Sequence, residues 1–109
     1  MIYLPQVHEK GASETRLVAI DFDDVLEAGE SFAGTPTLTE VGTSALSLSS
    51  PAVSDAAREI LGRSVPAGRA LLFACAGGTA GVTYRIGVTC GTDATPAQVI
   101  ERGVRIEVI

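Results

Sequence analysis

Three stretches of this chain alternate apolar and polar residues at every second position, and no other pattern constrains its fold as much. Val82–Cys90 places Val82, Tyr84, Ile86, Val88 and Cys90 on one side and Thr83, Arg85, Gly87 and Thr89 on the other. Val99–Ile109 does the same, with Val104, Ile106 and Val108 against Arg105 and Glu107. Residues 16–23 set Val18, Ile20 and Phe22 against Leu17, Ala19 and Asp21. A period of two is the mark of a strand with one buried face. Glycine-rich joints, Gly77–Gly81 and Gly91–Pro96, separate such runs, and no long amphipathic helix interrupts them. The expectation is an all-β fold: an immunoglobulin-like antiparallel β-sandwich of seven or so strands over residues 16–109.

The remaining stretches are less regular. Residues 1–15 carry Pro5, Gly11 and several polar groups, and read as an extended N-terminal arm with a short strand at Ile2–Leu4. Such an arm is often ordered by a partner. Asp23–Gly29 reads as a turn closed by Gly29. Residues 30–40 read as a strand that Pro36 confines to an edge or breaks. Residues 44–53 alternate through Leu46 and Leu48 until Pro51 ends or bends the run. Residues 54–65 fit either a short helix capped by Asp55 and stopped by Gly62, or two short strands about Gly62.

Composition narrows the function classes. Hydrophobic residues make up 46 %, but there are only two Tyr, three Phe and no Trp, so the core must be aliphatic. The net charge of −5 and a single lysine, Lys10, make phosphate neutralisation, and so nucleic-acid binding, a poor fit. No apolar run approaches the roughly 20 residues of a membrane span. The N-terminus lacks the basic and apolar regions of a signal peptide. His8 has no Cys or acidic partner at metal-ligand spacing and reads as a solvated residue of the arm. No nucleophile elbow, zinc-protease helix or Cys/His constellation is present, so the expectation is no enzyme, no metal and no cofactor.

Three local features bear on chemistry. With a hairpin turning at Thr79, Cys75 would face a position near Thr83 and Cys90 one near Gly68. At about 3.3 Å per residue that separates the thiols by more than about 20 Å, beyond disulfide reach. Two free, buried thiols are expected, which suits a reducing cytosol. The cluster Asp21, Asp23, Asp24, Glu27 and Glu30 lacks the central Gly and distal Glu of a calcium loop. It reads as a solvated turn, with a weak ion site or a contact for a basic patch on a partner as alternatives. Gly77-Gly78-Thr79-Ala80-Gly81 lacks the Lys-Ser/Thr of a phosphate loop and reads as a hairpin turn.

Two stretches together resemble a known family. Ile20-Asp21-Phe22-Asp23-Asp24-Val25-Leu26, followed by Gly29-Glu30-Ser31-Phe32, resembles the acidic-aromatic turn near the start of small structural proteins of tailed bacteriophages, with Phe22 where that family has Trp. Val65-Pro66-Ala67-Gly68-Arg69 and Gly77–Tyr84 resemble its Ala-Gly and Gly-Gly-Thr-Ala-Gly hairpin, and Gln98–Ile109 its last strand. The family is that of fibre–tail adaptor or immunoglobulin-like virion proteins, and the likeness covers residues 14–35 and 60–109. It tilts residues 54–65 toward a strand pair.

What the resemblance implies is a virion protein that links the tail or head–tail connector to fibres or neighbouring subunits. Its partners would be other phage proteins and further copies of itself, without nucleic acid or membrane, and it would reside in the virion after assembly in the host cytoplasm. A capsid decoration protein and a carbohydrate-binding β-sandwich module are the competing readings. The contact residues expected are Tyr3, Leu4 and Val7 of the arm, and Asp21, Asp23, Asp24, Glu27 and Glu30 of the turn. Residues 69–90 would form a rigid core hairpin, solvent-facing edge strands would join neighbours by strand addition, and deleting residues 1–13 should leave a folded β domain.

Overall fold

In the computed structural model, which describes residues 1–109, every regular element is a strand. In chain order these are β1 (Tyr3–Lys10), β2 (Arg16–Asp21), β3 (Phe32–Glu40), β4 (Leu46–Val53), β5 (Arg58–Ile60), β6 (Arg63–Val65), β7 (Ala70–Gly77), β8 (Thr83–Thr92) and β9 (Val99–Val108). One sheet has the order β1-β9-β8-β3 and the other β2-β7-β4, with β5-β6 a separate hairpin. The two larger sheets pack as a β-sandwich. No helix is long and apolar enough to cross a membrane.

The alternation places the core as expected. Val18, Ile20 and Phe22 from one layer meet Ile86, Val88, Cys90, Val104 and Ile106 from the other, each at most 5 % exposed. Phe22 and Phe32 meet edge to face, 5.0 Å between centroids. Val82, read as inward, precedes β8 and is 39 % exposed.

The hairpin expected over residues 69–90 does not form, because β7 and β8 lie in different sheets. Gly77–Gly81 is a crossing between layers. Gly77 and Gly78 both take positive φ, and a Cβ on Gly77 would lie 2.7 Å from the Ala45 carbonyl oxygen. The Thr79 amide donates to the Tyr84 hydroxyl at 2.8 Å and fixes the crossing. Cys75 and Cys90 are free and buried, but for another reason than hairpin offset. Cys75 lies opposite Arg16 and Leu48 in one sheet, and Cys90 opposite Ile100 in the other.

The N-terminal arm is extended but not free. Tyr3–Lys10 pairs with β9, and that ladder is parallel, unlike the antiparallel remainder. Leu4 and Lys10 are buried. Deleting residues 1–13 would therefore strip an edge strand from the larger sheet. The sequence shows only its start, the short strand expected at Ile2–Leu4; beyond Leu4 the register slips around Pro5, between Tyr3 and Val7, and polar residues follow. Those polar groups close the gap to the other sheet. The Gln6 amide donates to the Asp21 carbonyl oxygen at 2.7 Å and accepts from the Asp21 amide at 3.0 Å, so a side chain stands in for a strand partner. Lys10 Nζ donates to the Gly11 and Gly77 carbonyl oxygens, each at 2.7 Å. His8 is half-buried, not solvated, and its Nε2 is buried without a hydrogen-bond partner.

Three of the four edge strands carry a proline where their ladder slips: Pro5 in β1, Pro36 in β3 and Pro51 in β4. Proline removes a ladder donor, and bulged edges resist pairing with other chains. The edge of β2 is occupied at Asp21 by Gln6. Edges of this kind disfavour strand addition.

Residues 58–65 form the strand pair. Leu61 and Gly62 both have positive φ, 51° and 82°, as a two-residue hairpin turn of this hand requires. The hairpin folds over the outward face of β2-β7-β4 at one end, where Ile60 and Val65 pack with Ala70 and Ala19.

Candidate interaction site at the acidic turn

The turn between β2 and β3 is built from its own backbone first. The Asp23 amide donates to Asp21 Oδ1 at 2.8 Å. The amides of Val25 and Leu26 both donate to the Phe22 carbonyl oxygen, at 2.9 and 3.1 Å. The Glu27 amide donates to Glu30 Oε1 at 3.1 Å, which explains why Glu30 is buried although charged. Gly29, at φ 78°, closes the turn.

Two arginines then hold it from the far side of the chain. Arg69, just before β7, is mostly buried. Its Nε donates to Asp23 Oδ1, its Nη1 to the carbonyl oxygens of Glu27 and Glu30, and its Nη2 to those of Asp23 (2.8 Å) and Leu26 (3.0 Å). A guanidinium has five N–H donors in a rigid fork, and here five acceptors surround it. Arg63, at the start of β6, is more exposed. It donates to Asp24 through Nη1 at 2.6 Å and Nη2 at 2.9 Å, and to Asp23 at 2.9 Å, with Asp21 at 3.7 Å. Arg63 holds the Asp24 carboxyl below its ordinary range, through the hydrogen bond first and charge second.

The acidic cluster is therefore not a free negative patch. Three of its five carboxylates meet an arginine of the same chain, and a fourth is used inside the turn. Glu27 lies with Glu30 and Asp93 around a second, polar hollow, where Asp93 Oδ1 accepts from the Ser31 amide at 2.8 Å. No three His, Cys, Asp or Glu side chains converge as a metal-binding group.

The fold brings part of the expected contact set together. Leu4, Asp21 and Asp24 line one hollow of about 250 Å³, with Val25, Ile60 and Arg63. Leu61 stands on its rim, 64 % exposed and with the left-handed backbone that a bulky residue rarely adopts. Tyr3 and Val7 do not join it. Their register, opposite Gly103 and Arg105, puts them on the outward face of the larger sheet, where the Arg105 guanidinium lies 4.9 Å from the Tyr3 ring centroid. Sequence reasoning missed Arg63, Arg69 and Leu61. The one available signal for the arginines was that seven of the eight basic residues are Arg, the residue suited to bidentate carboxylate pairing.

Comparison with protein families, with curated proteins and with solved structures returned no match.

Proposed function

We propose that this chain is a non-catalytic structural protein of a tailed-phage virion, an adaptor that links the tail or head–tail connector to fibres or neighbouring subunits. The observation that carries this reading is the hollow at the acidic turn. An apolar floor of Leu4, Val25 and Ile60, a charged wall of Asp21, Asp24 and Arg63, and the projecting Leu61 gather there in a molecule 42 Å long. An adaptor needs such a shaped contact and no reacting groups. The blunted edges support contact through this site in preference to strand addition. The segments that resemble the phage family contribute most of it: Asp21–Val25 directly, and Arg69 by clamping the turn.

Purified particles assembled with the wild-type chain and with Leu61→Asp test the proposal. Mass spectrometry should find the wild-type chain in few copies per particle and the exposed-site variant depleted, although folded. A copy number that covers the whole capsid would favour decoration instead. A wild-type chain absent from particles would overturn the virion reading.

A further inference from the structure

The hollow beside the acidic turn holds one carboxylate oxygen that the chain leaves without a hydrogen bond. Asp23 and Asp24 commit all of theirs to arginine. Asp23 Oδ1 accepts from Arg69 and its Oδ2 from Arg63, and both oxygens of Asp24 accept from Arg63. Asp21 differs. Its Oδ1 accepts from the Asp23 amide, but the cation nearest to its Oδ2 is Arg63 Nη1 at 3.7 Å, beyond hydrogen-bond distance. The Asp21 side chain is nevertheless only 11 % exposed. Gln6, which also lines the hollow, is committed elsewhere, because its amide bonds the Asp21 main chain.

Charge points the same way. Asp21, Asp23 and Asp24 meet only Arg63 and Arg69, which leaves one negative charge in excess. A mostly buried carboxylate is costly unless it is both paired and hydrogen-bonded. Beside it the hollow is apolar, formed by Leu4, Pro5, Val25 and Ile60. Lysine and arginine match both halves, with an aliphatic stem and a cationic head at its end.

We infer that the hollow takes a basic side chain, lysine or arginine, from a protein partner. The stem lies along Leu4, Val25 and Ile60, and the head donates to Asp21 Oδ2. The occupant brings one positive charge to a site with one negative charge in excess, on a chain of net charge −5 that attracts cationic segments. A wholly apolar side chain would cover the floor but shut the Asp21 carboxylate away from water without a donor. An acidic one would add to the excess. Arg63 keeps Asp23 and Asp24, so the partner's head displaces nothing. The inference rests on the reading of the hollow as a contact site and adds what that site recognises.

The test uses the purified, isotope-labelled chain, titrated by NMR with acetyl-Gly-Lys-Gly-amide at constant ionic strength. The norleucine counterpart, which keeps the stem and lacks the ammonium, is the reference. The lysine peptide should shift the amides of Leu4, Gln6, Asp21, Val25 and Ile60. It should bind at least about tenfold more tightly than the norleucine peptide, as a hydrogen bond to a charged group allows. Asp21→Asn, which keeps an oxygen for the Asp23 amide, should remove that preference. Arg63→Met should tighten lysine binding, since it removes a competing cation. Added salt should weaken the lysine peptide alone. Equal affinity for the two peptides, an Asp21→Asn chain that keeps the preference, or lysine binding no tighter in Arg63→Met would each overturn the inference. So would shifts centred on the second hollow at Glu27, Glu30 and Asp93. The adaptor reading fails or stands separately, on particle copy number. Depletion of Leu61→Asp from particles together with equal peptide affinities would keep the contact site and reject the basic side chain.

Discussion

The two outward faces of the sandwich solve the same problem in opposite ways. The face of β1-β9-β8-β3 has two thin places, Gly87 and Gly103, which lie opposite each other in the β8–β9 ladder. The chain covers them itself. The Tyr3 ring lies against Gly103, Met1 reaches both glycines, and Arg105 stacks on Tyr3. Charged residues Arg85, Glu101 and Glu107 belong to the same face by register. The face of β2-β7-β4 receives cover at one end only, from the β5-β6 hairpin, and is uncharged elsewhere. One face is finished within the chain, whereas the other depends on a hairpin that is anchored by arginine contacts to the acidic turn.

The sharpest way to break that contrast is at the anchor. Arg69→Met should destabilise by about 3 kcal/mol, because it strands the Asp23 carboxylate and four backbone carbonyls that now share one guanidinium. Urea unfolding should show it, with a fall in melting temperature of roughly 10 °C or more. Arg63→Met, at the solvent-screened pair, should cost far less than Arg69→Met. Equal losses at the two positions would refute the distinction between a buried clamp and a surface pair.

Next in size is the cover. Val65, on β6 of the hairpin, is fully buried against Ala70. Val65→Ala should cost about 2 kcal/mol and speed hydrogen exchange in residues 58–65 before the rest of the sheet. On the other face, Tyr3→Ala should cost about 1 kcal/mol, since it removes a ring and its cation contact but no core side chain. A Tyr3→Ala loss exceeding that of Val65→Ala would reverse the ranking of the two covers.

How much of this was legible in the sequence follows from what each residue does. Ile86, Val88, Ile106 and Val108 alternate without interruption, so strands and core positions could be read directly. Asp21–Gly29 announced a turn by its composition, but its acidic residues suggested a charged surface. The arginines that neutralise it lie about forty residues away, and no local pattern joins them. The joint Gly77–Gly81 announced a turn too, but a glycine run cannot tell a hairpin from a crossing between sheets. That choice is made by β2 and β4, which take both sides of β7. β1 was legible only at its start, because its later inward positions Gln6, His8 and Lys10 are polar, with surroundings that appear only when the opposite sheet is in place. Cys75 and Cys90 read as free, buried thiols and are so, and burial pushes both up from their ordinary range.

His8 makes the finished face conditional on pH. Burial lowers its pKa below 6.5, and its Nε2 has no partner to reward protonation. The unfolded chain therefore binds the proton more tightly than the folded one, and stability rises with pH in that window. The contribution is intact above pH 6.5 and is lost as pH falls from 6.5 through the folded pKa. Urea midpoints measured between pH 7.5 and pH 5, a range that brackets the usual imidazole titration, should fall toward acid. His8→Gln should flatten that slope, and exchange at low pH should open β1 first. A slope unchanged in His8→Gln would assign the acid sensitivity to other groups. Asp24 is not a competitor here, because its lowered carboxyl pKa confines its effect to more acidic solution.

The smallest effect is the most telling about the uncovered face. Leu17→Glu places a charge where the isolated chain has none, at a side chain already mostly in water. Nothing in the fold rests on Leu17, so dilute stability should change by no more than about 0.5 kcal/mol. Arg85→Glu on the opposite face should be equally mild in that assay. If Leu17→Glu instead unfolds the dilute chain, Leu17 belongs to the protein's own core. The contrast between a finished face and an open one would then disappear.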